Sequence, residues 1–260
     1  MRFTWFTVAL VPSLLLLAAG TSFAGVVVGE TSIAQASNGV AFSEKKTIYV
    51  QGNKQKIDAQ RIATITDLDE SVIYIIDKAD RVYSEIPLRP LSPGEPGNVQ
   101  GETVDLNRTG ETRIIANHPC DEYRTVEGNI GERVIISACV STNVPGAKEV
   151  AEFDRKIVTR LDGYESKLPA NSGAASLMLE KQSVLSFRIH GSSRNEGYRT
   201  TSLMARTRVN KIQLKSLPPE TFKPPKGYSK LMTRPPSTFP SNPAEPTDQM
   251  VDAIVRNVPV

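Results

Sequence analysis

Histidine and cysteine are both scarce in this chain: His118, His190, Cys120 and Cys139 are the whole supply in 260 residues. Neither histidine has a partner three or four residues away on a helix, the spacing that sets two ligands on one metal, so both read as surface or hydrogen-bonding residues and no metal is expected. No Gly-x-Ser-x-Gly occurs, which removes the strained serine turn of the common hydrolases. No glycine loop opens a helix, which removes the usual phosphate cradle. The carboxylates Asp67, Asp69 and Glu70, and Asp77 and Asp80, stand in turn-like stretches where aspartate bonds its own backbone. A glycosidase-type pair is left open by spacing, because such residues meet only in the fold. Charge of one sign is lacking too: 31 basic residues face 28 acidic ones, scattered along the chain, which argues against nucleic acid as a partner. The reading is therefore of a protein that is not an enzyme and that needs no cofactor.

Long apolar runs are absent except for one, Val8 to Gly20, which follows Arg2 and precedes Ser22-Phe23-Ala24. A positive start, a short greasy stretch and small residues before a cut are the marks of a removable signal peptide, expected over residues 1–24 with cleavage after Ala24. An uncleaved anchor is the alternative, but a membrane span needs roughly 18 or more apolar residues and this run is shorter and contains Pro12. No cysteine follows the run to carry a lipid. The expectation is an exported, soluble chain without a stable membrane span. Its remaining length suits a single domain.

Residues 25–39 are small and polar without a sustained period and read as a flexible lead-in, with a first strand near Val40 to Phe42. From Thr47 to Ile86 short β-branched and aromatic runs alternate with turn chemistry: Gly52-Asn53, Asp67 to Glu70, and Asp77 to Asp80. Tight turns join only antiparallel neighbours, so this is a meander. Pro87 to Gly101, with four prolines and three glycines, cannot continue a ladder and reads as a surface loop or as a lid. Ala147 to Leu161 reads as the one main amphipathic helix, because Val150, Phe153, Ile157, Val158 and Leu161 recur at steps of three and four. Ser183 to His190 and Tyr198 to Leu214 return to β texture. Residues 233–260 form a Pro-rich tail in which Met250 to Val255 either makes a short docked helix or frays.

Cys120 and Cys139 flank two strand-like segments, Asp121 to Val126 and Arg133 to Ala138, whose midpoint falls between Asn129 and Ile130. A hairpin symmetrical about that point sets the thiols opposite one another, within bridging distance. A structural disulfide is the leading reading; buried free thiols and a redox pair are the others, the last weakened by the lack of Cys-x-x-Cys.

Together, Lys46 to Val50, Asn53 to Ile57, Ile65 to Leu68, Ile73 to Asp77 and Val82 to Ile86 resemble an exported bacterial domain of unknown function (4412 type) of the LolA-like lipoprotein-carrier superfamily. Thr109 to Thr112 with Ile115, Ala116, Cys120 and Tyr123 resembles that family's Gly-x-x-Cys-x-x-Tyr region, and Leu217 to Tyr228 its closing segment. Asn117-His118 departs from it, standing where a glycine and an aromatic residue are the pattern. The resemblance implies a mainly β (α+β) domain over residues 40–232, a strongly curved antiparallel sheet or open half-barrel, with the main helix packed on its concave face. It further implies a periplasmic protein that binds or carries a lipid, a lipoprotein or another hydrophobic ligand, with Val150, Phe153, Ile157 and Leu161 as the ligand-facing helix residues. The alternative is an envelope protein-interaction or structural module whose core is filled and whose Pro-rich tail binds a partner.

Overall fold

The structure, a computed structural model, describes residues 25–88, 106–128, 132–160, 175–190 and 198–231. The segment expected as a signal peptide with a cut after Ala24, most of the stretch expected as a proline-rich loop, Leu161, the His190 side chain and the expected tail from residue 233 lie outside the described residues.

Twelve strands make one sheet in the order β12-β6-β5-β4-β3-β2-β1-β11-β10-β9-β8-β7. The first meander is β1 (Gly25–Ala36), β2 (Ala41–Gln51), β3 (Lys54–Asp58), β4 (Ile62–Asp67), β5 (Val72–Asp77) and β6 (Val82–Pro87). The second is β7 (Asn107–Ile115), β8 (His118–Gly128), β9 (Glu132–Ser141), β10 (Leu177–His190) and β11 (Tyr198–Lys215). Neighbours within each meander are antiparallel and sequential; β1 against β11 welds the two together, and the short β12 (Ser229–Lys230) adds to β6 in parallel.

β1 is a correction. The segment expected as a flexible lead-in is instead a central strand, paired with β2 on one side and β11 on the other. Its small residues hid it: Gly29, Ser32, Ala34 and Ala36 carry little hydrophobic signal. They suit a strand flanked on both sides because neighbours rather than propensity hold it. A bulge at Gly29/Glu30 against β11 also breaks the simple alternation. The remaining strand expectations from Thr47 to Ile86 agree with β2 to β6 within a residue or two, and Tyr198 to Lys215 is a single strand.

Both faces of the sheet are covered in part. On one, α1 (Ala147–Arg160) crosses β1, β2 and β10 and encloses Val26, Val28, Val50, Leu179 and Val209 with its own Val150 and Phe153. The approach is close at Gly146 (φ +81°), where any Cβ would lie 2.4 Å from Val26 Cγ2, so only glycine lets the chain enter the helix there. On the opposite face Leu217 and Phe222, the latter in a 3-10 turn at Pro219–Phe222, pack on Ala63, Ile65 and Ile76.

The second meander is strongly rolled, so that β7 comes near β11. Arg113 on β7 donates from Nη1 to Glu180 on β10 at 2.8 Å, although three strand spacings in a flat sheet would part them by roughly 14 Å. Glu180 also accepts from Arg206 Nε at 2.9 Å and lies 3.7 Å from Arg208. One buried carboxylate thus gathers arginines from both sides of the roll. Ile115, Cys120 and Cys139, which share a strand face with Arg113 or Glu180, belong to the same packed cluster as Val150 and Phe153 of α1.

Cys120 and Cys139 are bonded, with Cα atoms 5.4 Å apart. They are not directly opposite: Glu122 faces Cys139, and the thiols meet diagonally. Gly128 (φ +114°) pairs with Arg133, which moves the turn one residue beyond the symmetrical point. A Cβ at Gly128 would stand 2.1 Å from the Glu132 carbonyl oxygen.

Replacing both cysteines by alanine is expected to lower unfolding free energy by about 2–3 kcal/mol, as befits a closed loop of some twenty residues that is already part of a hairpin. Denaturant melts with and without reductant measure it. Glu180→Ala is expected to cost about 3 kcal/mol, at the lower end for a broken buried ion pair because its arginines are partly exposed; the same melts check this, with Glu180→Gln milder.

Candidate functional site

The carboxylates singled out from the sequence do not converge. Asp67 Oδ1 accepts the Asp69 and Glu70 amides at 2.9 and 3.1 Å, and Asp77 Oδ1 accepts those of Ala79 and Asp80 at 2.9 and 3.2 Å. They are turn-forming residues, as their spacing suggests. Asp67 also binds Lys54, which raises the lysine's pKa chiefly through that hydrogen bond. Tyr74 is pushed up to about 12 by burial and by its bond to Glu70. His118 Nδ1 lies 3.2 Å from the Asn143 carbonyl, in a structural contact beside the β7–β8 turn.

The apolar helix residues are divided. Phe153 is fully enclosed and Val150 is buried, both in the core under α1, while Ile157 is half-buried against it. Phe153 and Val150 therefore fill the space between helix and sheet themselves, and they do not face an open cavity in this structure. Leu161 lies outside the described residues.

Beyond the helix, the same face continues as a mostly aliphatic surface. Pairing aligns Ile48, Ile57, Thr64, Ile75 and Ser84 across five strands, and Val50, Gln55, Thr66, Ile73 and Ile86 one step on. Ile57, Ile75 and Ile86 are half-buried and belong to none of the packed clusters among the described residues. On the other side of β1 the surface runs on through Ala34, Ala205, Leu203 and Leu185.

Polar groups hold the helix at the margin of this surface. Glu149 Oε1 accepts the Gly52 amide at 2.6 Å, and Lys156 Nζ donates to Asn53 Oδ1 at 2.7 Å, so α1 is tied to the β2–β3 turn at both ends of its docked stretch. Lys46 and Glu30, opposite one another on β2 and β1, form an ion pair of 3.1 Å and are largely buried. Asp154 on α1 is open to solvent, yet protein surrounds it closely enough that desolvation, with a smaller push from Glu30, raises its carboxyl to about 6.

This polar trio escaped sequence reasoning, although Asp154 left a signal: it follows Val150 by four residues and precedes Ile157 by three. That places a carboxylate on the apolar stripe itself. Glu30 and Lys46 left none, because their meeting depends on the β1–β2 register.

The model of one family, Domain of unknown function (DUF4412), matches residues 23–228. The chain belongs to this family. The match takes in β1, in keeping with its place inside the sheet. No curated protein matches the chain. Among solved structures, a LolA superfamily protein from Nitrosomonas europaea aligns at 7% identity over 77% of this chain and 90% of its own, with a TM-score of 0.29. PNGF-II aligns at 9% identity over 78% of this chain and 31% of its own, with a TM-score of 0.32. A structure described as lipid–protein interactions in lipovitellin aligns at 9% identity over 74% of this chain and 26% of its own, with a TM-score of 0.26. Among the described residues of this DUF4412 protein no helix is long and apolar enough to cross a membrane.

The raised Asp154 pKa has a definite sign. Its folded value of about 6 exceeds the ordinary 3.8, so the carboxyl is no burden below the ordinary value, and stability falls as pH rises through the interval and stays lower above it. Asp154→Asn is expected to raise the melting temperature at pH 7.5 and to leave it nearly unchanged at pH 4, flattening that part of the profile. Thermal melts across this range check it.

Proposed function

We propose that this DUF4412 protein is a non-catalytic carrier or sensor that binds a hydrophobic ligand, of the acyl-chain class, on the helix-bearing face of its sheet. The observation that carries the reading is the group of half-buried isoleucines, Ile57, Ile75 and Ile86, on two adjacent rows of the helix-bearing face and outside every packed cluster among the described residues. An aliphatic surface of that kind recognises chain length and shape without directional bonds, as lipid sites do. The helix suits a movable cover. Its tethers to Gly52 and Asn53 are hydrogen bonds that water can replace, and its displacement adds Val150, Phe153 and Ile157 to the same surface. The Glu30, Lys46 and Asp154 trio then lies where a ligand's polar end meets solvent. Export to the periplasm belongs to this proposal, and the Cys120–Cys139 bond supports it because cysteines pair stably in oxidising compartments.

Protein isolated from a bacterial envelope is expected to carry lipid detectable by native mass spectrometry, and delipidated protein to bind a fluorescent fatty acid. The double variant Ile57→Asn, Ile75→Asn is expected to weaken the probe about tenfold, in line with roughly 0.7 kcal/mol for each of two apolar side chains that are already half-buried without ligand. Protein that is empty as isolated and blind to the probe would overturn the reading.

A further inference from the structure

At one end the sheet projects beyond its outer strands. β3 stops where Asp58 meets Thr47, and residues 41–46 of β2 run on with β1 beside them. At the other margin β7 pairs with β8 between His118 and Arg124, and residues 125–128 of β8 run on with β9 beside them. The registers set Ala36, Leu203, Leu185, Val134 and Glu127 in one row, so the projecting parts of β2, β1, β11, β10, β9 and β8 lie side by side.

On the strand face of Glu180 and Arg206, Val126, Ile135, Val184 and Met204 form an apolar row across four of these strands, with Ile33 next to it. None of the five belongs to a packed cluster among the described residues, and Val126 is 48% and Ile33 37% exposed. Cations border the row on both sides. Arg124 and Arg206 stand in the row below, Arg133 in the row above and Arg188 beyond it. Among the described residues no carboxylate shares this stretch of the face. The nearest, Glu122 and Glu180, lie one row further down and are engaged by Arg113 and Arg206.

The reverse side of the same strands is apolar as well, with the opposite charge. Phe42, which pairs with Ala34, and Phe187, which shares a strand face with Leu185, are 50% and 37% exposed. Half-buried Val134, Ile136, Leu185 and Leu203 lie between them. The charges here are Glu44, Glu127 and Glu132, with Lys181 as the cation of this stretch among the described residues. Exposed apolar surface on this scale commonly marks a contact. Strand alternation has thus sorted the charges, cations to one face and carboxylates to the other.

We propose that this end of the sheet binds a second copy of the chain face to back, the arginine-bordered row of one copy receiving the phenylalanine- and glutamate-bearing side of the next. Stacked sheets lie about 10 Å apart with their side chains interlocked. In that arrangement Val126, Ile135, Val184 and Met204 meet Phe187, Leu185 and Leu203 of the other copy, while Arg124, Arg133 and Arg188 meet its carboxylates. A copy of this chain is the partner that complements both faces at once. An anionic lipid would answer only the basic side, and a cationic partner only the acidic one. Because the two contact faces differ, each copy keeps one of them free, and association continues past a pair. The contact does not depend on the ligand reading above, since Ile57 and Ile75 stand on β3 and β5, outside the projecting strands.

Sedimentation velocity of the purified chain over a range of concentrations tests this. The weight-average mass is expected to rise with concentration beyond that of a dimer, and to fall when salt is added. Arg133→Glu with Arg188→Glu makes both faces acidic, and Glu127→Lys with Glu132→Lys makes both basic. Each double variant alone is expected to associate about tenfold more weakly or worse, because like charges then meet across the contact. An equimolar mixture of the two is expected to recover association, since each supplies the face that the other has lost. Phe42→Ser with Phe187→Ser is expected to weaken association about tenfold. Ile114→Ser removes an isoleucine that is 73% exposed on β7, and is expected to change nothing. All the substituted positions are exposed, and circular dichroism checks that the variants fold. A chain that stays monomeric at every concentration, association that survives either charge reversal, a mixture that recovers nothing, or an equal loss in Ile114→Ser would each overturn the stacking. The Ile57, Ile75 variant separates the two ideas: it is expected to lose the fatty-acid probe and to keep its self-association.

Discussion

The pairing of β1 with β11 is the constraint on which the architecture depends. Each meander could form from local hairpins, but two meanders side by side would each leave a long edge of unpaired amides and carbonyls open to other chains. Twelve residue pairs, from Gly25–Lys215 to Ala36–Leu203, close those edges on each other and turn two sheets into one. The bulge at Gly29/Glu30 falls midway along this seam. It keeps Val28 and Ile212 facing α1 on one side of the irregularity and Val209 facing it on the other. A seam between residues some 180 apart closes late and at a high entropic cost, so the small, adaptable side chains of β1 suit a strand that must fit between two preformed partners.

Around that seam the two halves of the sheet are stabilised differently. The first is a layered arrangement, with aliphatic clusters against the C-terminal segment on one face and against α1 on the other. The second is a roll fastened by the disulfide and by Glu180 with its arginines. A buried carboxylate is a poor source of net stability but a strict one in geometry, since only the rolled arrangement brings Arg113 within reach. The polar anchor thus specifies curvature, while the disulfide fixes the register of the hairpin that it spans.

The helix-bearing face joins three kinds of surface in a continuous stretch. Under α1 it is packed; beside α1 it is aliphatic and half-open; at the far end it is aromatic and exposed. A protein that only needed stability would hide the last two, because every exposed isoleucine or phenylalanine forfeits burial energy and invites association. Their alignment along one face, with Asp154, Glu30 and Lys46 where cover and open surface meet, gives the face a polarity that the opposite face of the first meander, closed by Leu217 and Phe222, does not have.

By itself the sequence determined what is local. The turns at Gly52-Asn53, Asp67–Glu70 and Asp77–Asp80, the helix with Val150, Phe153 and Ile157, and the family to which the chain belongs are all written in short-range patterns, because turn chemistry and helical periodicity act over a few residues. The disulfide partners were legible as well, since only two cysteines exist. Only the tertiary structure decided that Gly25 to Ala36 is a central strand, that the cysteines meet diagonally, that Phe153 is a core residue, and that Phe42 and Phe187 lie at one end on one face. Each of these depends on which strands pair and in what register, and register is set by partners far along the chain whose identity no local pattern records.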